Sequence, residues 1–156
     1  MEFLHRTWAE IDISALLHNF KLIKEKAANS MVSAVVKANA YGHDVTHIAP
    51  VLDKNGADSF AVSNIVEAVE LRKIGITKPI LILGYTPLEA AGLLFENDII
   101  QCVYSKEYAQ SLSGYCTEKG IKIKVHIKID TGMSRLGFDC RSDDLKGIED
   151  ALHCAK

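Results

Sequence analysis

The sequence predicts an α/β protein built on a parallel sheet, and three observations carry that prediction. From about residue 14 onward, segments of helical periodicity alternate with short apolar runs; five of those runs each lead into a helix; and the connections are short. Alternation of this kind implies parallel pairing with right-handed crossovers, in either an open doubly wound sheet or a (β/α) barrel. The nearly unbroken run Ile80-Leu81-Ile82-Leu83 fits a strand covered on both faces.

The elements follow in order. Thr7 to Ile13 alternates like a half-exposed strand and belongs to a different sheet from the rest. Ser14 caps a helix whose apolar positions Leu16, Leu17, Phe20, Ile23 and Ala27 share one face. Met31 to Val36 is a β-branched strand that stops at Lys37, and a helix through Val45, Ile48, Ala49, Val51 and Leu52 ends near Gly56. Ser59 to Val62 is the second strand, after which Asn64 caps a helix that stops at Gly75. Ile80 to Leu83 is the third, followed by a helix from Pro87 to Phe95, with proline in the first turn where its missing N–H costs nothing. Ile99 to Val103, a helix from Ser105 to Lys119, a strand from Ile121 to Ile129 and a last helix from Ser142 complete the chain.

Composition narrows the functional classes. The chain has 156 residues, 48% of them hydrophobic and 24% charged, which excludes disorder and allows a real core without a metal or disulfide staple. Its 18 Lys and Arg against 20 Asp and Glu give a net charge of −2, which offers no electrostatic footprint for nucleic acid or an anionic membrane surface. The four cysteines, at 102, 116, 140 and 154, form no C-x-x-C pair, so neither a zinc site nor a redox motif is built locally. With no apolar leader at Met1 to Arg6 and no apolar run long enough for a membrane span, the expectation is a cytoplasmic chain with reduced thiols.

Two segments carry residues suited to chemistry. Lys37 ends a buried parallel strand, where barrels and doubly wound sheets alike place their sites. Desolvation there favours the neutral amine needed for a Schiff base or a general base, whereas the plainer alternative is a lysine that snorkels to solvent. Tyr41-Gly42-His43-Asp44 follows, with a hydroxyl for a phosphate oxygen, a glycine that permits close backbone approach and a helix start; its plainer reading is a turn with Asp44 as N-cap. Further on, Ile121 to Asp130 alternates so that Lys122, Lys124, His126 and Lys128 share a face. In a barrel, Lys128 would point into the cavity that Lys37 faces; the competing reading is an edge strand with a solvated basic face. The loop Thr131 to Phe138 carries Arg135, suited to clamping a carboxylate or phenolate.

The other candidates are weaker. His43 and His47 lie four apart on one helical turn but lack a third ligand, so no metal site is expected, and His5, His18 and His153 have no partner at ligand spacing. Lys21, Lys24, Glu25 and Lys26 read as a solvated helix face. A nucleotide-binding domain would need a G-x-G-x-x-G after its first strand, and none is present.

Taken together, Ala34 to His43, Lys128 to Phe138 and the opening Thr7-Trp8-Ala9-Glu10-Ile11-Asp12 with Leu16, Leu17 and Asn19 resemble the amino-terminal part of the alanine racemases. The resemblance implies a (β/α)8 TIM-type barrel of which about five strand-helix units are present, residues 14–156 forming a partial barrel that binds pyridoxal phosphate. Residues 1–13 would then be a leading strand that joins a carboxyl-terminal β domain. It implies a homodimeric bacterial enzyme that interconverts L- and D-alanine, supplying D-alanine for peptidoglycan, with a small amino acid as substrate.

Carried over by position, Lys37 would be the lysine bound covalently to pyridoxal phosphate and one of two catalytic bases, and Tyr41 would contact the cofactor phosphate. Lys128 would be carbamylated and would orient Arg135, which lies near the cofactor's phenolic oxygen and the substrate. The second base, a tyrosine of the partner subunit, and the partner of the cofactor's ring nitrogen match nothing in this sequence. Two departures stand out: Asp44 replaces the glycine common after Tyr-Gly-His, and Ser134 occupies a variable position. The alternatives are a racemase for serine or another amino acid and a non-catalytic pyridoxal-phosphate carrier; the Lys128 to Phe138 motif argues against the carrier. Since a closed barrel needs roughly 250 residues, this chain alone is expected to be inactive and poorly soluble or partly molten.

Overall fold

Among the described residues, six helices, one left-handed turn and seven strands follow one another in the order α1 (Ile13–Ala27), β1 (Ser33–Val35), α2 (Lys37–Tyr41), α3 (Val45–Lys54), β2 (Ser59–Val62), α4 (Ile65–Lys73), β3 (Ile80–Ile82), α5 (Ala91–Glu96), β4 (Ile99–Val103), α6 (Lys106–Lys119), β5 (Val125–Ile127), β6 (Ile129–Asp130), β7 (Phe138–Asp139) and α7 (Lys146–Cys154). They belong to a computed structural model that describes residues 7–141 and 145–155.

Strands β1 to β5 form one parallel sheet in sequential order, with Ala34 opposite Phe60, Ala61 opposite Leu81, Ile82 opposite Gln101 and Cys102 opposite His126. Sequential order decides between the two architectures the sequence leaves open. Right-handed crossovers that always step to the next strand on the same side place every helix on one face, whereas a doubly wound sheet reverses direction partway. The sheet is singly wound, a segment of a (β/α) barrel.

Side-chain alternation then sorts the strands into two faces. Ala34 and Val36, Phe60 and Val62, Ile80 and Ile82, and Ile99 point outward into the helix layer, where they pack with Ile48, Leu52, Leu71 and Leu94. Phe60, Ile80, Ile82, Leu71, Leu94 and Ile99 are each less than 2% exposed, a burial worth about 1.5–3 kcal/mol apiece. A second cluster, Val103, Tyr108, Leu112, Cys116, Phe138 and Ala151, continues the same layer under α6 and α7. The opposite, inner face carries Val35, Leu81, Ile100 and Cys102, and Val35 there is 44% exposed.

Several expected boundaries move, each for a local reason. Residues 7 to 12 form no strand, because their alternation meets no partner among the described residues, and α1 opens at Ile13 with Asp12, not Ser14, accepting the Ala15 N–H as N-cap. Pro87 is the N-cap residue of a 3₁₀ turn (Leu88–Ala90) that leads into α5, one position earlier than expected. The long strand Ile121 to Ile129 shortens to β5 and β6, which change partner at Lys128: its N–H donates to Val103 carbonyl, and its own carbonyl accepts from Phe138 N–H. That second contact begins the parallel pair β6 and β7, so a further strand follows β5 after the loop 131–137 with no intervening helix. The last helix is α7, and residues 142 to 144 of its expected start lie outside the described residues.

Candidate active site

The carboxyl ends of the strands gather the predicted residues. Lys37 follows Val36 at the end of β1; by alternation with Ala34 and Val36 it lies on the inner face, where it is half-buried. Beyond it the backbone does something that composition does not announce. Ala38, Asn39 and Ala40 have φ of 51°, 54° and 52° with ψ of 50°, 49° and 44°, and Tyr41 has φ of 55°. This is one turn of left-handed helix made entirely of residues other than glycine, at a cost of about 1–2 kcal/mol per residue. Strain of this kind persists only where the surroundings over-determine it, and it concentrates at sites of function.

The surroundings are specific. Ala40 N–H donates to Val36 carbonyl at 2.9 Å, and Gly42, at φ +85°, closes the turn with its N–H on Ala38 and Asn39 carbonyls. Asn39 Oδ1 accepts from Val45 N–H at 2.8 Å, which ties the turn to the start of α3, and His43 Nδ1 sits 3.0 Å from Ala40 carbonyl oxygen. Asp44 is the N-cap of α3, accepting from Thr46 N–H, as expected. Its φ of +67° is one that glycine adopts freely, and the bonds it makes as a cap offset the cost for aspartate. His43 precedes this cap while His47 lies inside α3 against Asp44 Oδ2, so the two do not share a helical turn. Tyr41 is 59% exposed, its phenol free to reach a ligand at this end of the sheet.

Glu67, which the sequence reading passed over, joins the site from α4. Its Oε1 accepts from Ala38 N–H at 2.8 Å, and its Oε2 accepts from Ser63 N–H at 2.8 Å and Ser63 Oγ at 2.7 Å. Burial pushes this carboxyl up, but the Ser63 and Ala38 hydrogen bonds and the Lys37 charge outweigh it and hold it below its ordinary value. At the neighbouring strand end a Cβ on Gly84 would stand 2.6 Å from Ser63 carbonyl oxygen, so the β2 and β3 connections approach as closely as only glycine permits.

On the far side of the sheet, Lys128 occupies the junction of β5 and β6, half-buried and on the face shared with His126 and Cys102. Burial pushes the Cys102 thiol up, against the opposing pull of the Lys128 charge. The next loop hangs on Asp130, 6% exposed, whose Oδ1 accepts from Gly132 N–H at 2.9 Å and Ser134 N–H at 3.0 Å. Those bonds hold its carboxyl below the ordinary range. Arg135 leaves this loop exposed, with Nη2 at 3.5 Å from Met133 Sδ, while Ser134 bonds to Arg141, which is itself paired with Asp139. The fold thus brings Lys37, Tyr41, Lys128 and Arg135 to one end of the sheet. Arg135 is directed to Met133. An open, largely apolar groove elsewhere on the chain, lined by Leu112, Cys116, Ile121, Ile127 and Cys154, holds none of them.

An amine at the carboxyl end of the first strand of a singly wound parallel sheet, with a phenol and a guanidinium on loops at the same end, marks a (β/α)-barrel domain with polar groups gathered where such barrels place their sites. Comparison with known proteins makes the class particular. Residues 11–156 match the family model described as alanine racemase, N-terminal domain, and the chain belongs to that family. It is 53% identical over 131 residues to an alanine racemase of Clostridium perfringens, covering 84% of this chain and 34% of that protein. The solved alanine racemase of Clostridium difficile 630 superposes with a TM-score of 0.84 at 38% identity, covering 98% of this chain and 40% of that one. The alanine racemase of Bacillus anthracis with bound L-Ala-P superposes with a TM-score of 0.83 at 37% identity, over 99% of this chain and 40% of that one. The chain spans about a third of the length of the curated relatives it matches.

Proposed function

We propose that this chain is the cofactor-carrying part of a pyridoxal-phosphate-dependent racemase that interconverts L- and D-alanine. The observation that carries the reading is Lys37, half-buried on the inner face at the end of β1 and followed at once by a strained left-handed turn. The donor set suits the cofactor: a primary amine for its aldehyde, the Tyr41 phenol for its phosphate and a guanidinium for its phenolate. Relatives named alanine racemase support alanine over other amino acids as substrate.

Bound pyridoxal phosphate supplies an electron sink for the electron pair left when the substrate's α-proton departs. The chain's own residues do the rest. Lys37 Nζ takes or returns that proton on one face of the α-carbon, and its flanking peptide is fixed so that the amine meets the same face each time. Tyr41 and Arg135 bind and orient. In this reading Lys128 is carbamylated and its new negative charge draws Arg135 inward from Met133; an intact-mass shift in bicarbonate buffer that maps to Lys128 tests this. The proton on the opposite face is assigned to a tyrosine of a partner subunit in a homodimer. A cytoplasmic location fits the reading; among the described residues no helix is long and apolar enough to cross a membrane.

The test is direct. Incubation with pyridoxal phosphate, borohydride reduction and peptide mapping should fix the cofactor on Lys37, and Lys37→Arg should abolish that incorporation. Labelling spread over surface lysines, equal in Lys37→Arg, would rule the reading out. Exchange of the alanine α-proton with deuterium oxide, faster than that of serine, is expected of the protein when assembled with its remaining parts.

A further inference from the structure

We infer that Glu67 is a positioning residue for Lys37: its carboxylate spans the ends of β1 and β2, fixes the peptide bond that follows Lys37 and sets the charge beside the Lys37 amine. The role rests on the reading of Lys37 as the cofactor lysine.

The sequence Asn64-Ile65-Val66-Glu67 matches a capping box, in which the glutamate at the third helical position accepts the N–H of the cap residue itself. The bonding departs from that pattern. Asn64 Oδ1 does accept from Glu67 N–H at 3.0 Å, but Glu67 Oε2 turns to Ser63, one residue before the cap, and Oε1 reaches Ala38 N–H on another strand end. Capping α4 requires no bond to Ala38. Its origin lies in the β1–β2 ladder, where Val36 N–H donates to Ala61 carbonyl at 3.0 Å. The next rung of a parallel ladder would send Ala38 N–H to Ser63 carbonyl. The left-handed backbone that begins at Ala38 aims this N–H elsewhere, and Glu67 is the acceptor it meets.

Two consequences follow for Lys37. Ala38 N belongs to the peptide bond that Lys37 itself contributes, so the carboxylate pins the plane from which the Lys37 side chain departs. Its negative charge also sits within electrostatic reach of the amine, the Lys37 charge being one of the influences on the Glu67 carboxyl alongside Ser63 and Ala38. One side chain thereby joins the geometry of the strained turn to the charge that faces the lysine at its entrance.

Competitive acetylation of the whole chain with acetic anhydride across a pH series, read lysine by lysine by peptide mass spectrometry, tests this without cofactor. Glu67→Gln keeps the shape and removes the charge, and it should raise the labelling rate of Lys37 at neutral pH about threefold relative to that of exposed Lys21. Asn64→Ala removes the cap of α4 but not the carboxylate; it should lower the melting temperature and leave the Lys37 profile in place. A Glu67→Gln profile that superimposes on the parent, or an equal displacement in Asn64→Ala, would overturn the inference.

Should Glu67→Gln not fold, the unsubstituted chain still decides: the amide resonances of Ala38 and Ser63 should follow one shared acid titration, and separate or absent titrations count against it. Borohydride trapping of pyridoxal phosphate in the same samples separates the two claims. If the Glu67→Gln profile shifts while the cofactor fails to fix on Lys37, the cofactor reading falls and the coupling stands.

Discussion

Asn39 shows how much one residue contributes to this site. It is the central residue of the left-handed turn, and its Oδ1 satisfies Val45 N–H at the start of α3. Asparagine tolerates the left-handed region better than other side chains do, because its short amide bonds locally. Asn39→Ala should therefore cost about 1–2 kcal/mol, through the lost cap and added strain, read as a lower urea midpoint with unchanged slope. A midpoint equal to the parent's would show that the turn is not strained as described. Lys37 itself was legible in the sequence because strand periodicity fixes which face its last residue takes. Glu67 was not: N-x-x-E reads as an ordinary capping box, and only the approach of β1 to the start of α4 gives its second oxygen a partner. Arg135 was legible as a residue and not as a contact, since its place depends on how Asp130 gathers the loop amides.

At the scale of elements, Tyr108 joins α6 to the connection before α5. Its hydroxyl donates to Thr86 carbonyl at 2.8 Å, and its ring stacks on Tyr104 with centroids 5.0 Å apart. Burial pushes the Tyr108 hydroxyl up from its ordinary value near 10 to about 12. A folded-state value raised above the unfolded one contributes stability that is complete below pH 10 and lost as pH rises through 12. Tyr108→Phe should cost about 1 kcal/mol at neutral pH and flatten the alkaline fall in stability over that window, measured by urea unfolding at several pH values. An alkaline fall as steep as the parent's would assign the loss to other groups.

The helices and strands were readable largely because caps and apolar runs are local: Asp44, Asn64 and Ser105 all accept N–H groups at helix starts. The partner switch at Lys128 was not readable, because the periodicity of Ile121 to Ile129 continues through it while hydrogen bonding is decided by which strand lies alongside.

For the molecule as a whole, the two faces of the sheet differ in kind. The outer face has a complete core with the helices, while Val35, Leu81 and Ile100 on the inner face are only partly covered. Among the described residues β1 and β5 are the edge strands of the five-stranded sheet, and β6 and β7 pair only with each other, leaving backbone donors and acceptors along open edges. The chain by itself should thus fold its outer core but self-associate, sedimenting with a concentration-dependent mass and binding a hydrophobic dye. A monomer at every concentration, with no dye binding, would contradict this.

The sequence by itself determined the strand-helix alternation, most helix starts, the lysine at the end of β1 and the family, because these rest on local periodicity and short motifs. Only the tertiary structure decided that the sheet is singly wound, that the backbone after Lys37 turns left-handed and that Glu67 answers it, because each depends on which distant segment arrives to accept a hydrogen bond.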